Sequence, residues 1–162
     1  MSKGICQPDP SLEVDFPNLA NSDYEVTSCP GEEPNCIGWA LNDGHCWDPL
    51  GVAQGIHGYH WLKDLPPDFS IETISELFSR HDYVGCADGT LEGGYEKIAL
   101  YFNTKEGEIS HAARQLSDGS WTSKLGQGED IRHSDLHALE GDVKLFPESY
   151  GIVIKFMRRP IR

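Results

Sequence analysis

Basic charge is what this chain has least of. Thirteen Lys and Arg stand against 26 Asp and Glu, so its 162 residues carry a formal net charge of −13 at pH 7. Such a surface repels the phosphates of nucleic acid and of anionic lipid, and the few cations form no stripe that would track a backbone, so neither is an expected partner. The one basic cluster, Arg158-Arg159-Pro160-Ile161-Arg162, reads as a solvated tail. Long apolar runs are missing as well: none approaches the roughly 18 residues of a bilayer span. Met1-Ser2-Lys3-Gly4 leads into acidic, Pro-rich sequence without the hydrophobic stretch of a signal peptide, so a cytoplasmic residence is expected unless export reads no N-terminal signal. Cysteine is sparse and odd in number (Cys6, Cys29, Cys36, Cys46, Cys86), which excludes full pairing within one chain and favours reduced thiols. Gly89, Gly93 and Gly94 precede no Gly-Lys-Ser/Thr, so there is no phosphate loop. His45-Cys46 and His57-x-x-His60 match no zinc template. No cofactor and no metal are expected.

Enough remains to bury a core in one domain. Residues 1–30 are turn-rich and read as an extended arm, with a short strand at 24–27, ahead of a single domain over 31–162. Pro34 and Asn35 introduce a helix whose apolar face is Ile37, Ala40 and Leu41, ended by Asn42-Asp43-Gly44 with Gly44 at C′. Residues 45–67 are irregular and aromatic. Ser70 caps a helix over 71–80, with Ile71, Ile74, Leu77 and Phe78 as its buried stripe. The second half reads as a meander: strands at 97–103, 109–116 and 120–125, a helical piece near 134–139, and a last strand at 151–157. Helices followed by hairpin-linked strands make the fold class α+β.

Two segments carry chemistry. Asn35-Cys36-Ile37-Gly38-Trp39 places a cysteine at a helix start, and 75 positions later Ser110-His111-Ala112-Ala113 places a histidine on a strand. A free thiol near pKa ~8.5 is mostly protonated at neutral pH, and a helix N-terminus and a nearby imidazolium both favour its thiolate. Taken singly each residue has a plainer reading, Cys36 as a small buried hydrophobe and His111 as a satisfied strand residue. Alternation puts Ile109, His111, Ala113 and Gln115 on one face, where small Ala113 leaves room for a helix or a substrate. A third group should orient the imidazole. Ser123, on the strand after the next turn, and Asp130 or His133 just downstream are the candidates, with a solvated turn as the alternative for 129–133. Asn35 offers an amide to an oxyanion, and Trp39, Trp47, Trp61 and Trp121 are candidate substrate contacts, the loop 45–61 supplying a cleft wall.

The stretches Phe16-Pro17-Asn18-Leu19, Asn35-Cys36-Ile37-Gly38-Trp39-Ala40, His111-Ala112-Ala113-Arg114-Gln115-Leu116, Trp121-Thr122-Ser123-Lys124-Leu125-Gly126 and Leu139-Glu140-Gly141 resemble a family of uncharacterised bacterial proteins over nearly the whole chain. More loosely, the cysteine on a helix start and the histidine on a meander strand resemble the NlpC/P60-like group of papain-like cysteine hydrolases. That resemblance implies N-terminal helices packed on an antiparallel meander, Cys36 as nucleophile, His111 as base and then acid, and a polar orienter on the next strand. This hairpin offers Ser123 where such enzymes commonly carry a histidine. The expected activity is a cysteine hydrolase, or a transferase working through the same thioester, on a peptide or other amide. The alternatives are a non-catalytic binding module on the same scaffold, and a structural partner protein in which Cys36 is merely buried.

Overall fold

The computed structural model describes residues 11–28, 34–125 and 128–161. The readings of residues 1–10 as an arm, of a turn at 29–31 and of Arg162 in a tail lie outside these. The protein is a mixed α and β molecule built on an antiparallel sheet with few, short helices.

Strands β1 (Tyr24–Ser28), β4 (Val84–Cys86), β5 (Tyr95–Asn103), β6 (Glu108–Gln115), β7 (Trp121–Lys124), β8 (Asp130–His133) and β9 (Ile152–Pro160) form a seven-stranded sheet in the order β1-β8-β7-β6-β5-β9-β4. The hairpins β5–β6 and β6–β7 give the expected meander, and β9 returns to pair with β5 on its other side. Strand β5 alternates: Ile98 and Leu100 enter one apolar cluster, Ala99 and Tyr101 the other, so it is buried on both faces. A small two-stranded sheet pairs β2 (Cys46–Trp47) with β3 (Tyr59–His60) in parallel, across helix α3 (Pro49–Ala53).

The first cluster lies under helices α2 (Cys36–Leu41) and α4 (Ile71–Ser79). Helix α4 starts where expected, with the Ser70 hydroxyl accepting from the Thr73 N–H at 3.1 Å, and buries Ile74, Leu77 and Phe78. Helix α2 is capped by Asn35, whose Oδ1 accepts from the Gly38 N–H at 3.1 Å. It ends two residues before Gly44, at Asn42, which takes the left-handed conformation (φ 60°).

The second cluster lies under helix α1 (Ser11–Asp15) and two 3-10 turns, Pro17–Asn21 and Leu136–Leu139. Residues 11–28 are therefore not extended throughout. Leu12, Phe16 and Leu19 are buried, and β1 is an edge strand of the sheet. Residues 130–133 are likewise a buried strand between β1 and β7 rather than a solvated turn. The basic cluster is not a solvated tail over its described part: Arg158 pairs with Glu92 and lies over the Tyr95 ring, and Arg159 pairs with Glu96 and lies over Tyr83. Among the described residues, no helix is long and apolar enough to cross a membrane.

Candidate functional site

A β-bulge organises the site. In the β5–β6 ladder Tyr101 opposes His111 but Phe102 opposes Ile109, which leaves Ser110 as an extra residue on β6. Past such an insertion the alternation reverses. Ile109 accordingly packs with Ala112 in the first cluster, while His111 meets the rings of Tyr101 and Tyr150 beside the second. Strict alternation, which set Ile109 beside His111 on one face, fails for that reason.

His111 is 1% exposed. Its ring stacks flat on Tyr150, centroids 4.1 Å apart and planes 2° from parallel, with the Tyr101 ring edge-on at 5.3 Å. Tyr150 is itself fixed: its carbonyl accepts from the bulge hydroxyl of Ser110 at 2.6 Å, and its ring packs on Phe16 at 4.9 Å. Gly151 follows at φ 79°, so close to the Phe102 carbonyl oxygen that a Cβ there would collide with it. Neither His111 ring nitrogen hydrogen-bonds to any described residue. Burial, assisted by the nearby His133, drives the imidazole pKa well below its ordinary 6.5, so the ring is neutral at neutral pH.

Cys36 opens α2 against β6. Burial pushes its thiol up to about 11, even though the backbone N–H groups of Ala112, Ile37 and Cys36 itself favour the thiolate. This is the reverse of the depressed thiol expected of a helix start. Helix α2 has only six residues, and desolvation outweighs what so short a helix supplies.

Cys36 and His111 both wall one cavity of about 380 Å³, with Phe69, Ile109, Tyr150 and the carboxylates Glu108 and Glu148. Of the other residues singled out in the sequence, only Asn35 joins them there. Its amide is held in place: besides capping α2, Oδ1 accepts from the Trp47 N–H at 3.1 Å, and Nδ2 donates to the Trp47 carbonyl at 2.7 Å. One N–H of its Nδ2 is left over from these bonds as a candidate donor to an oxyanion.

Among the described residues, no orienter hydrogen-bonds to His111. His133 Nδ1 lies 2.9 Å from the Asp135 carbonyl, which can only accept, so that nitrogen carries the proton. Its Nε2 is left to accept from the Ser123 hydroxyl at 2.8 Å, and the two residues satisfy each other. Asp130 is held by the hydroxyls of Ser28 and Thr27 at the β1–β8 pair. The tryptophans also lie off the cavity. Trp39 Nε1 donates to Thr122 Oγ1, Trp47 Nε1 to Asp43, and Trp121 packs on Phe156. Trp61 stands behind the wall, edge-on to Phe69 at 5.8 Å. The aromatic wall is thus Phe69 and Tyr150, both missed in the sequence. The signal for Tyr150 was the Pro147-Glu148-Ser149-Tyr150-Gly151 turn feeding the last strand. Among the described residues, no three His, Cys, Asp or Glu side chains come together to hold a metal.

The model of one protein family, a domain of unknown function (DUF7689), matches residues 25–158. No curated protein and no solved structure matches the chain.

Proposed function

The chain belongs to the DUF7689 family, to which no function is attached, and we propose from geometry alone that it is a cysteine-dependent acyl-transfer protein, a hydrolase or thioester-forming transferase with a papain-like arrangement of Cys36 and His111. The observation that carries this is the meeting of the two residues at one cavity, with both imidazole nitrogens unengaged by any described residue. Leaving a buried polar group unpaired costs about 1–3 kcal/mol, and such groups concentrate where they do chemistry.

In this reading the resting pair is neutral. As Cys36 Sγ bonds to the carbonyl carbon of an amide or ester, its proton passes to a ring nitrogen of His111. The imidazolium so formed is a strong acid because the site disfavours its charge, and it returns the proton to the departing amine or alcohol as that bond breaks. Water or an acceptor amine then attacks the thioester, and the sulfur leaves with a proton to regenerate the thiol. Tyr150 takes the place of a hydrogen-bonded orienter by holding the imidazole plane through stacking.

The second reading, a non-catalytic binding module, draws on the elevated Cys36 pKa and on the lack of a bond between the sulfur and His111. Intact-mass spectrometry of the protein mixed with p-nitrophenyl acetate separates the two. Acyl transfer predicts acetylation at Cys36 that disappears in Cys36→Ser and slows at least about tenfold in His111→Gln. Acetylation scattered over lysines, or indifferent to His111, supports the binding module instead.

A further inference from the structure

Three carboxylates beside the β5–β9 pair are neutralised by described cations, and those at the cavity are not. Glu92 pairs with Arg158 and Lys97, Asp88 with Lys97, and Glu96 with Arg159. Glu108 at the start of β6 and Glu148 in the turn before Tyr150 both line the cavity, and neither takes part in an ion pair with a described residue. Among the described residues, no lysine or arginine lines it. His111 also lines it, buried, neutral and with neither ring nitrogen hydrogen-bonded to a described residue. Phe69, Ile109 and Tyr150 line it as well. The field of Glu148 reaches as far as the Tyr150 hydroxyl, where it joins burial in opposing ionisation.

We propose that the cavity takes a cationic amide: a ligand with an ammonium or guanidinium group seated between Glu108 and Glu148, an apolar stem against Phe69 and Ile109, and its amide nitrogen toward His111, which protonates it as it leaves. This rests on the acyl-transfer reading for the amide, and on the cavity's own charge for the cation. An anionic ligand would meet the like charge of the two carboxylates and a neutral one would gain nothing from them, so charge selects among amides of similar shape.

Three thiol reagents of one chemistry and different charge test the cation without requiring turnover: ethylammonium, neutral methyl and ethylsulfonate methanethiosulfonates, with modification of Cys36 read by peptide mass spectrometry. The ratio of cationic to anionic rate at Cys36, normalised to N-acetylcysteine, is expected to be at least about tenfold, as favourable and unfavourable Coulomb contacts near a protein surface allow. It should fall about threefold or more in each of Glu108→Gln and Glu148→Gln, exposed positions whose change leaves the core alone, and flatten with added salt. A ratio equal to that of the free thiol, or one that both variants leave unchanged, overturns the proposal. So does an equal cation preference at Cys86, which lies near Lys97 and Arg158, because that would assign the effect to the net charge of the chain. His111→Gln in the acetylation assay fails or succeeds separately, so loss of the acyl-transfer reading is told apart from loss of the charge preference.

Discussion

His111 and Cys36 are each held in the uncharged form by burial, and that has consequences for stability as well as for chemistry. The folded-state pKa of His111 lies well below its unfolded value of about 6.5, and that of His133 is lowered too. As pH falls the unfolded chain therefore binds these protons first. The stabilisation is complete above about pH 6.5 and declines below it, by up to about 1.4 kcal/mol per pH unit for each group. Urea unfolding between pH 7.5 and 5 should show this loss, and His111→Gln should remove the part that belongs to His111. A stability flat across that range would contradict the burial of both rings. Tyr150 makes a separate prediction. Tyr150→Phe keeps the stack on His111, whereas Tyr150→Leu loses it and should cost about 1–3 kcal/mol. In NMR spectra the ring-current shift of the His111 ring protons should survive the first substitution and vanish in the second.

At the scale of elements, the site depends on two close approaches. Helix α2 passes so near the strand leading to Trp47 that a Cβ on Gly38 would fall inside the His45 carbonyl. Gly38→Ala should therefore displace α2 or unfold the chain, a loss of more than about 3 kcal/mol or no folded protein by circular dichroism. Asn35→Ala removes both the α2 cap and the tie to Trp47, and about 1–3 kcal/mol is expected in the same measurement. Helices α2 and α4 and strands β5, β6, β7 and β9 were legible in the sequence because period and caps agreed locally. Strand β8 was not, because Glu129-Asp130-Ile131-Arg132-His133 has one aliphatic residue, and its burial depends on Ser123 and the Asp135 carbonyl satisfying His133. The bulge at Ser110 was also invisible. It needs no special residue, yet it decides which face His111 takes. Cys36 and His111 could be paired from chain order and element type, whereas Tyr150, Phe69, Glu108 and Glu148 come to the cavity through long-range packing that no local pattern announces.

At the scale of the molecule, the seven-stranded antiparallel sheet is covered by helices α2 and α4 on one face and by helix α1 with two 3-10 turns on the other. The cavity opens where the start of helix α2, the β6 bulge and the turn into β9 converge, so residues from three distant parts of the chain come together only in the folded protein. The central claim is that Cys36 and His111 form one chemical unit there. It is tested most directly by the rate of Cys36 alkylation with iodoacetamide across pH, in wild type and in His111→Gln. The account predicts a wild-type rate that climbs toward a midpoint near 11, and a rate at neutral pH that drops at least about tenfold when the imidazole that accepts the thiol proton is removed. A variant that reacts as fast as wild type, or faster because its sulfur is better hydrated, would contradict it.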